Sequence, residues 1–127
     1  VVNPDTLWSN AYSRELRDLE DIYFKYKKAS LLLVNKNLSI DKFFKGDFNL
    51  ENSLVSRDHI NKFIFTGLQI LDHSVFKFTK NKIFSMNYIW NHLIENESLT
   101  GIESSQKFYH LNTKDMYDKI LSLNITD

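Results

Sequence analysis

The chain has no cysteine. Disulfide scaffolds, thiol nucleophiles, iron–sulfur clusters and cysteine zinc fingers are therefore excluded. Glycine occurs three times, at scattered positions, and proline once. So few glycines leave no glycine-rich phosphate loop, and no Gly-x-Ser-x-Gly nucleophile elbow is present. A charge of one sign is missing too: Lys plus Arg and Asp plus Glu number 16 each, for a formal net charge of zero. A globally basic nucleic-acid binder is excluded, and any such contact must come from a local patch. The longest purely apolar run, Leu31 to Val34, is far too short to span a bilayer. The N-terminal stretch has no signal-peptide pattern, so no membrane partner is expected.

What remains is a chain of 127 residues, 43% hydrophobic and 25% charged, ordinary for one globular domain. A start at Val1 rather than Met reads as a piece of a larger protein. Asn and Lys number 13 each and Ala only 2, the bias of an AT-rich genome. In so Asn-rich a chain the Asn-x-Ser/Thr triplets at Asn37, Asn96 and Asn124 carry no weight as glycosylation sites.

Periodicity predicts a mainly helical fold. Asn3-Pro4-Asp5 is a helix-entry signature. Trp8, Tyr12, Leu16, Leu19, Tyr23 and Tyr26 follow at gaps of three and four, which predicts a helix from about Thr6 to Lys28. Ser30 to Val34 reads as a frayed helix end or a brief buried strand. Ser39 offers a cap for a short helix through Phe44, stopped by Gly46. Ser56 caps an expected helix carrying Ile60, Phe63, Ile64, Gly67, Leu68 and Leu71 on one face. Aromatic and β-branched residues from Val75 to Phe84, around Thr79-Lys80-Asn81-Lys82, read as a β-hairpin. Ser85 caps a helix ending near Asn96, and Thr113 caps a last one. The expected architecture is a compact domain of four to five helices with one small hairpin; an all-α bundle is the alternative.

This order of elements resembles the winged-helix superfamily from about Asp18 to Met86. The resemblance rests on Leu31-Leu32-Leu33-Val34, Ser39 to Phe44, Arg57 to Asp72 and the 75–84 hairpin. It implies a recognition helix over 57–72, with Arg57, Asn61, Lys62 and Gln69 facing a DNA groove. It also implies a wing presenting Lys77, Lys80 and Lys82 to phosphate.

Catalytic signals are absent. The histidines at 59 and 73 would lie about 20 Å apart on one helix, and His92 with Glu95 supplies only two ligands, so no metal and no cofactor are expected. Asp18 with Asp21 and Glu95 with Glu97 read as helix-surface charges. Aromatics are 14% of the chain, and Trp8, Tyr12, Tyr88 and Trp90 are the candidate anchors for a partner, because such rings bury large area with a polar handle. The expected function is a non-catalytic protein-interaction domain in a larger assembly or a homo-oligomer, without a small-molecule substrate. A winged-helix DNA-binding module is the alternative. The expected location is intracellular, the nucleus included.

Overall fold

The computed structural model describes residues 1–77 and 79–125. The expectation of a mainly helical, winged-helix-like domain is overturned. The chain is an α/β fold, with three α-helices around a five-stranded mixed sheet among the described residues. In chain order these are α1 (Tyr12–Tyr26), β1 (Ala29–Asn35), β2 (Asn49–Glu51), β3 (Leu54–Ser56), β4 (Phe63–Ile70), α2 (Met86–Glu95), β5 (Leu99–Ser104) and α3 (Lys114–Ser122). The sheet order is β2-β3-β5-β1-β4. β1 runs parallel to β5 and antiparallel to β4.

The sheet is covered on both faces. Leu31 and Leu33 of β1 pack with Ile89, Trp90 and Leu93 of α2. Leu32, the residue between them, packs with Tyr12, Leu19 and Ile22 of α1. All four residues from Leu31 to Val34 are fully buried. A central strand with helices on either side reads as a continuous apolar run, because both of its faces are core.

That double burial explains the main correction. The stretch expected as a recognition helix over 57–72 is instead a polar loop followed by β4. The apolar positions of Phe-Ile-Phe-Thr-Gly-Leu-Gln-Ile satisfy a helical period only because no position of the strand is exposed: five are buried and three half-buried. Gly67 lies in this strand with φ +99°, and a Cβ there would meet Asn3 Cβ at 2.7 Å. Around it the register between β1 and β4 slips. The Thr66 hydroxyl fills the irregular ladder by donating to the Leu32 carbonyl.

Among the described residues the expected hairpin over 75–84 does not form either. A 3-10 turn, His73–Phe76, leads into an irregular loop pinned by the Phe76 and Phe84 rings, 5.8 Å apart. Phe78, part of that expectation, lies outside the described residues. The expected short helix after Ser39 is a loop. Ser30 to Val34 is strand, one of its two readings. The helix expected from Thr6 begins at Tyr12. Before it, Asn3 N–H donates to the Gly67 carbonyl and Gln69 N–H to the Val1 carbonyl, so the N-terminal segment covers the outer edge of β4. An edge so covered cannot pair with another chain. On α1 itself the buried face is Tyr12, Glu15, Leu19 and Ile22, while the stripe members Leu16 and Tyr26 are exposed.

Candidate functional site

In α/β sheets, ligands gather beyond the carboxyl ends of the parallel strands. Here that place is the connection leaving β1. Asn35 ends the strand, and its side chain accepts from Asn37 N–H to start a tight turn. Lys36 N–H donates to the Lys62 carbonyl, tying this turn to the loop before β4. Farther on, Lys42 Nζ donates to the Asn37 carbonyl at 3.0 Å, and Asp41 accepts from Phe43 N–H.

The opposite wall is loop 58–62. Asn61 stiffens it: its Oδ1 accepts from Asp58 N–H and its Nδ2 donates to the Asp58 carbonyl. Asn49 anchors it from the neighbouring segment, donating to the Ile60 carbonyl and accepting from Lys62 N–H. Gly46 closes the two walls together. A Cβ at Gly46 would stand 2.0 Å from the Asn61 carbonyl oxygen.

Between these walls lies a cleft of about 450 Å³. Lys36, Lys42, Lys45 and His59 bring positive or ionisable nitrogen to it; Asn37 and Asn61 bring amides, and Phe43, Phe44 and Ile60 bring apolar surface. Among the described residues no carboxylate lines it. In a chain of zero net charge this is a strong local asymmetry. Each ammonium within about 4 Å of an anion contributes roughly 1 kcal/mol in a water-like environment and more where solvent is thinned. The arrangement can hold and neutralise an anion.

Beneath the cleft a second layer fixes the floor. Asp47 Oδ2 accepts from the Phe65 N–H. Burial pushes the Asp47 carboxyl above its ordinary range, against the lowering effects of that hydrogen bond and of Arg57 and His110. Because the folded-state pKa is raised, the ionised form is the unfavourable one. The stability Asp47 contributes when protonated is lost as pH rises through its folded pKa. Asp47→Asn is therefore expected to raise Tm near pH 7, and the gap should close as pH falls below about 4. Thermal unfolding of both proteins across pH 3–8 checks this; a gap that widens toward acid would refute it. His110 sits nearby, its Nε2 3.5 Å from Asp5 and its ring against Phe44 and Phe108.

The residues singled out for DNA contact are dispersed. Arg57 lies over the Phe48 ring at 4.3 Å and donates to Asn87 and Asn91 of α2 and to the Asp47 carbonyl, so its guanidinium joins a loop to a helix. Asn61 is in the cleft wall, and Lys62 is exposed beside it. Gln69 is buried and accepts from the Trp90 indole N–H at 3.1 Å. Lys77, Lys80 and Lys82 are exposed on the irregular loop before α2.

Of the aromatic anchors, Trp90 is buried against Phe48 and Phe65. Tyr12 is buried too, and burial first, then Glu15 and Tyr109, pushes its phenol up to about 12. Trp8 stands edge-on to Tyr12 at 5.0 Å beside a separate cavity, and Tyr88 is exposed on α2. The lysine cleft was missed, yet it left a signal. Lys36, Lys42 and Lys45 fall within ten residues directly after an apolar run, with Asp41 the lone acid among them.

Among the described residues no group of three or more His, Asp or Glu could hold a metal ion, and no helix is long and apolar enough to cross a membrane. No family model matches the sequence, and no curated protein matches it significantly. One solved structure of the same fold is a "Putative Glucose-1-Phosphate Thymidylyltransferase" from Bacillus anthracis in complex with a sucrose. It superposes with a TM-score of 0.70 at 18% identity, over 100% of this chain and 55% of that one. This chain thus spans just over half of that protein's length. The likeness is one of fold alone: a mixed α/β sheet flanked by helices, in place of a winged helix.

Proposed function

We propose that this chain holds the phosphate of a sugar phosphate in the lysine cleft, as the ligand-binding part of a nucleotidyltransferase-like protein whose chemistry is completed elsewhere. One observation carries the reading: a carboxyl-end cleft with three lysines, amide groups and, among the described residues, no carboxylate. The fold likeness to a structure described as a "Putative Glucose-1-Phosphate Thymidylyltransferase" supports the choice of ligand class. The side chains of the cleft bind and neutralise charge. They include no buried carboxylate pair for acid–base work, in keeping with a non-catalytic role for this part. A small ligand departs from the sequence-based expectation of a protein or nucleic-acid partner and no small-molecule substrate.

Titration of the whole chain with glucose 1-phosphate tests it. Expected is a Kd of order 1 mM or tighter at low salt, weakening several-fold between 50 and 200 mM salt. Lys36→Glu with Lys45→Glu should weaken it more than about tenfold, since two attractive contacts become repulsive. Equal binding of uncharged glucose would defeat the proposal.

A second reading, docking on a protein partner, is favoured by the outer side of α3. Tyr117 and Leu121 are about half exposed there and line a groove of about 500 Å³ with Leu7, Leu111 and Ile120. A second copy is the simplest occupant of such an apolar face. Sedimentation should show a dimer that Leu121→Arg dissociates; a monomer at high concentration rejects self-association.

A further inference from the structure

Adjoining the lysine cleft is another, of about 330 Å³. Asn37 and Lys42 line both. Its other polar walls come from distant parts of the chain: Ser39 after β1, Lys107 and Tyr109 after β5, and Lys119 on α3. Tertiary structure alone gathers these three lysines, and again no carboxylate among the described residues lines the space.

Ser39 adds an independent observation. It is only 1% exposed, and its Oγ is buried without a hydrogen-bond partner. Native proteins rarely leave a buried hydroxyl unpaired. The backbone around it is already engaged. Ser39 N–H donates to the Lys36 carbonyl, and Ile40 N–H to the Phe108 carbonyl. The hydroxyl is the group left over, in a residue that lines this cleft together with Lys42, Lys107 and Lys119.

We infer that this cleft is a second phosphate site, separate from the first, which takes a phosphate monoester. Lys42, Lys107 and Lys119 match the two negative charges of the monoester, for which lysine serves as a point-charge partner. A turn of the Ser39 side chain, whose Oγ is sealed from solvent, brings its hydroxyl to one of the phosphate oxygens. Tyr109 and Leu123 give the ester's organic group an apolar wall. This site does not depend on the sugar-phosphate reading of the first cleft. The two are linked through Lys42, whose ammonium cannot fully serve both anions, so binding at either site weakens the other, and by the same factor in both directions.

An amide-resolved NMR titration of the full chain tests this, with inorganic phosphate and then glucose 1-phosphate. Signals of Ser39, Ile40, Tyr109 and Lys119 should move with one midpoint, and those of Phe44, Gly46 and Asn61 with another. Lys119→Glu should weaken the first set more than tenfold and leave the second within twofold. Lys45→Glu should do the reverse, so failure of one cleft is told apart from failure of the other. Ser39→Ala should weaken the first set three- to tenfold while raising Tm, since it removes an unpaired buried hydroxyl. The site is overturned if the first set does not move, if sodium chloride at equal ionic strength moves it equally, or if Lys119→Glu leaves it unchanged. A preference for inorganic phosphate over the ester overturns the monoester assignment. Saturation of both sets by one single-stranded RNA at far lower concentration assigns the surface to a polyanion instead, and overturns it too.

Discussion

Gly46→Ala is expected to destabilise the protein by about 2–3 kcal/mol and to abolish anion binding in the lysine cleft. The added methyl carbon would stand 2.0 Å from the Asn61 carbonyl oxygen and 2.4 Å from its carbon, both backbone atoms. Neither wall yields cheaply. Loop 58–62 is held by the Asn61 bonds to Asp58 and by the Asn49 bonds to residues 60 and 62. On the other side, Asp47 N–H and Phe48 N–H both donate to the Phe63 carbonyl. Relief must come from prising the walls apart, and that separates Lys45 from Asn61. Urea unfolding and a glucose 1-phosphate titration on the same variant measure both effects. Near-native stability with intact binding would show that the close approach is not a constraint.

Glu15→Ala comes next, with an expected loss of about 2–4 kcal/mol. Glu15 lies on the buried face of α1, where its carboxylate accepts from the Ser104 hydroxyl at 2.7 Å, the Ser105 N–H at 2.9 Å and the Ser105 hydroxyl. It ties the first helix to the carboxyl end of β5. Alanine strips these donors of a charged acceptor in a place water reaches poorly, and a buried donor left unpaired costs more than the bond contributed. Glu15→Gln keeps one acceptor oxygen and should lose about half as much. A second readout is independent of stability. Glu15 is one cause of the raised Tyr12 phenol, so Glu15→Gln should lower that pKa while burial keeps it above 10. An unmoved Tyr12 titration together with unchanged stability would remove Glu15 from this role.

Local chemistry was legible wherever the signal was local. Ser85 caps α2 by accepting from Asn87 N–H, and Thr113 caps α3 by accepting from Met116 N–H, both as the cap residues predict. The apolar run at Leu31 to Val34 was open to a strand reading, and it is one. Glu15 was passed over because a carboxylate on an apolar stripe reads as a flaw in the period; its partners lie 89 and 90 residues away. Phe63 to Ile70 misled for the opposite reason. With both faces buried, a strand has no alternation to display, and a continuous apolar stretch satisfies a helical template equally well. Once that segment was read as helix, the loop after it took on the look of a wing.

From its residues alone this chain is a neutral, cysteine-free domain with a large core, two capped helices and no recognisable catalytic motif. Whether its central apolar stretches stand as helices or lie side by side as strands was settled only in three dimensions, because pairing between β1, β4 and β5 joins residues up to 70 positions apart, as at Ser30 and Thr100. The same long-range pairing sets Lys36, Lys42 and Lys45 against the 58–62 loop and brings Lys107 and Lys119 to their far side. Charge that sums to zero along the chain is thereby sorted into positive clefts, and no count of residues could disclose that.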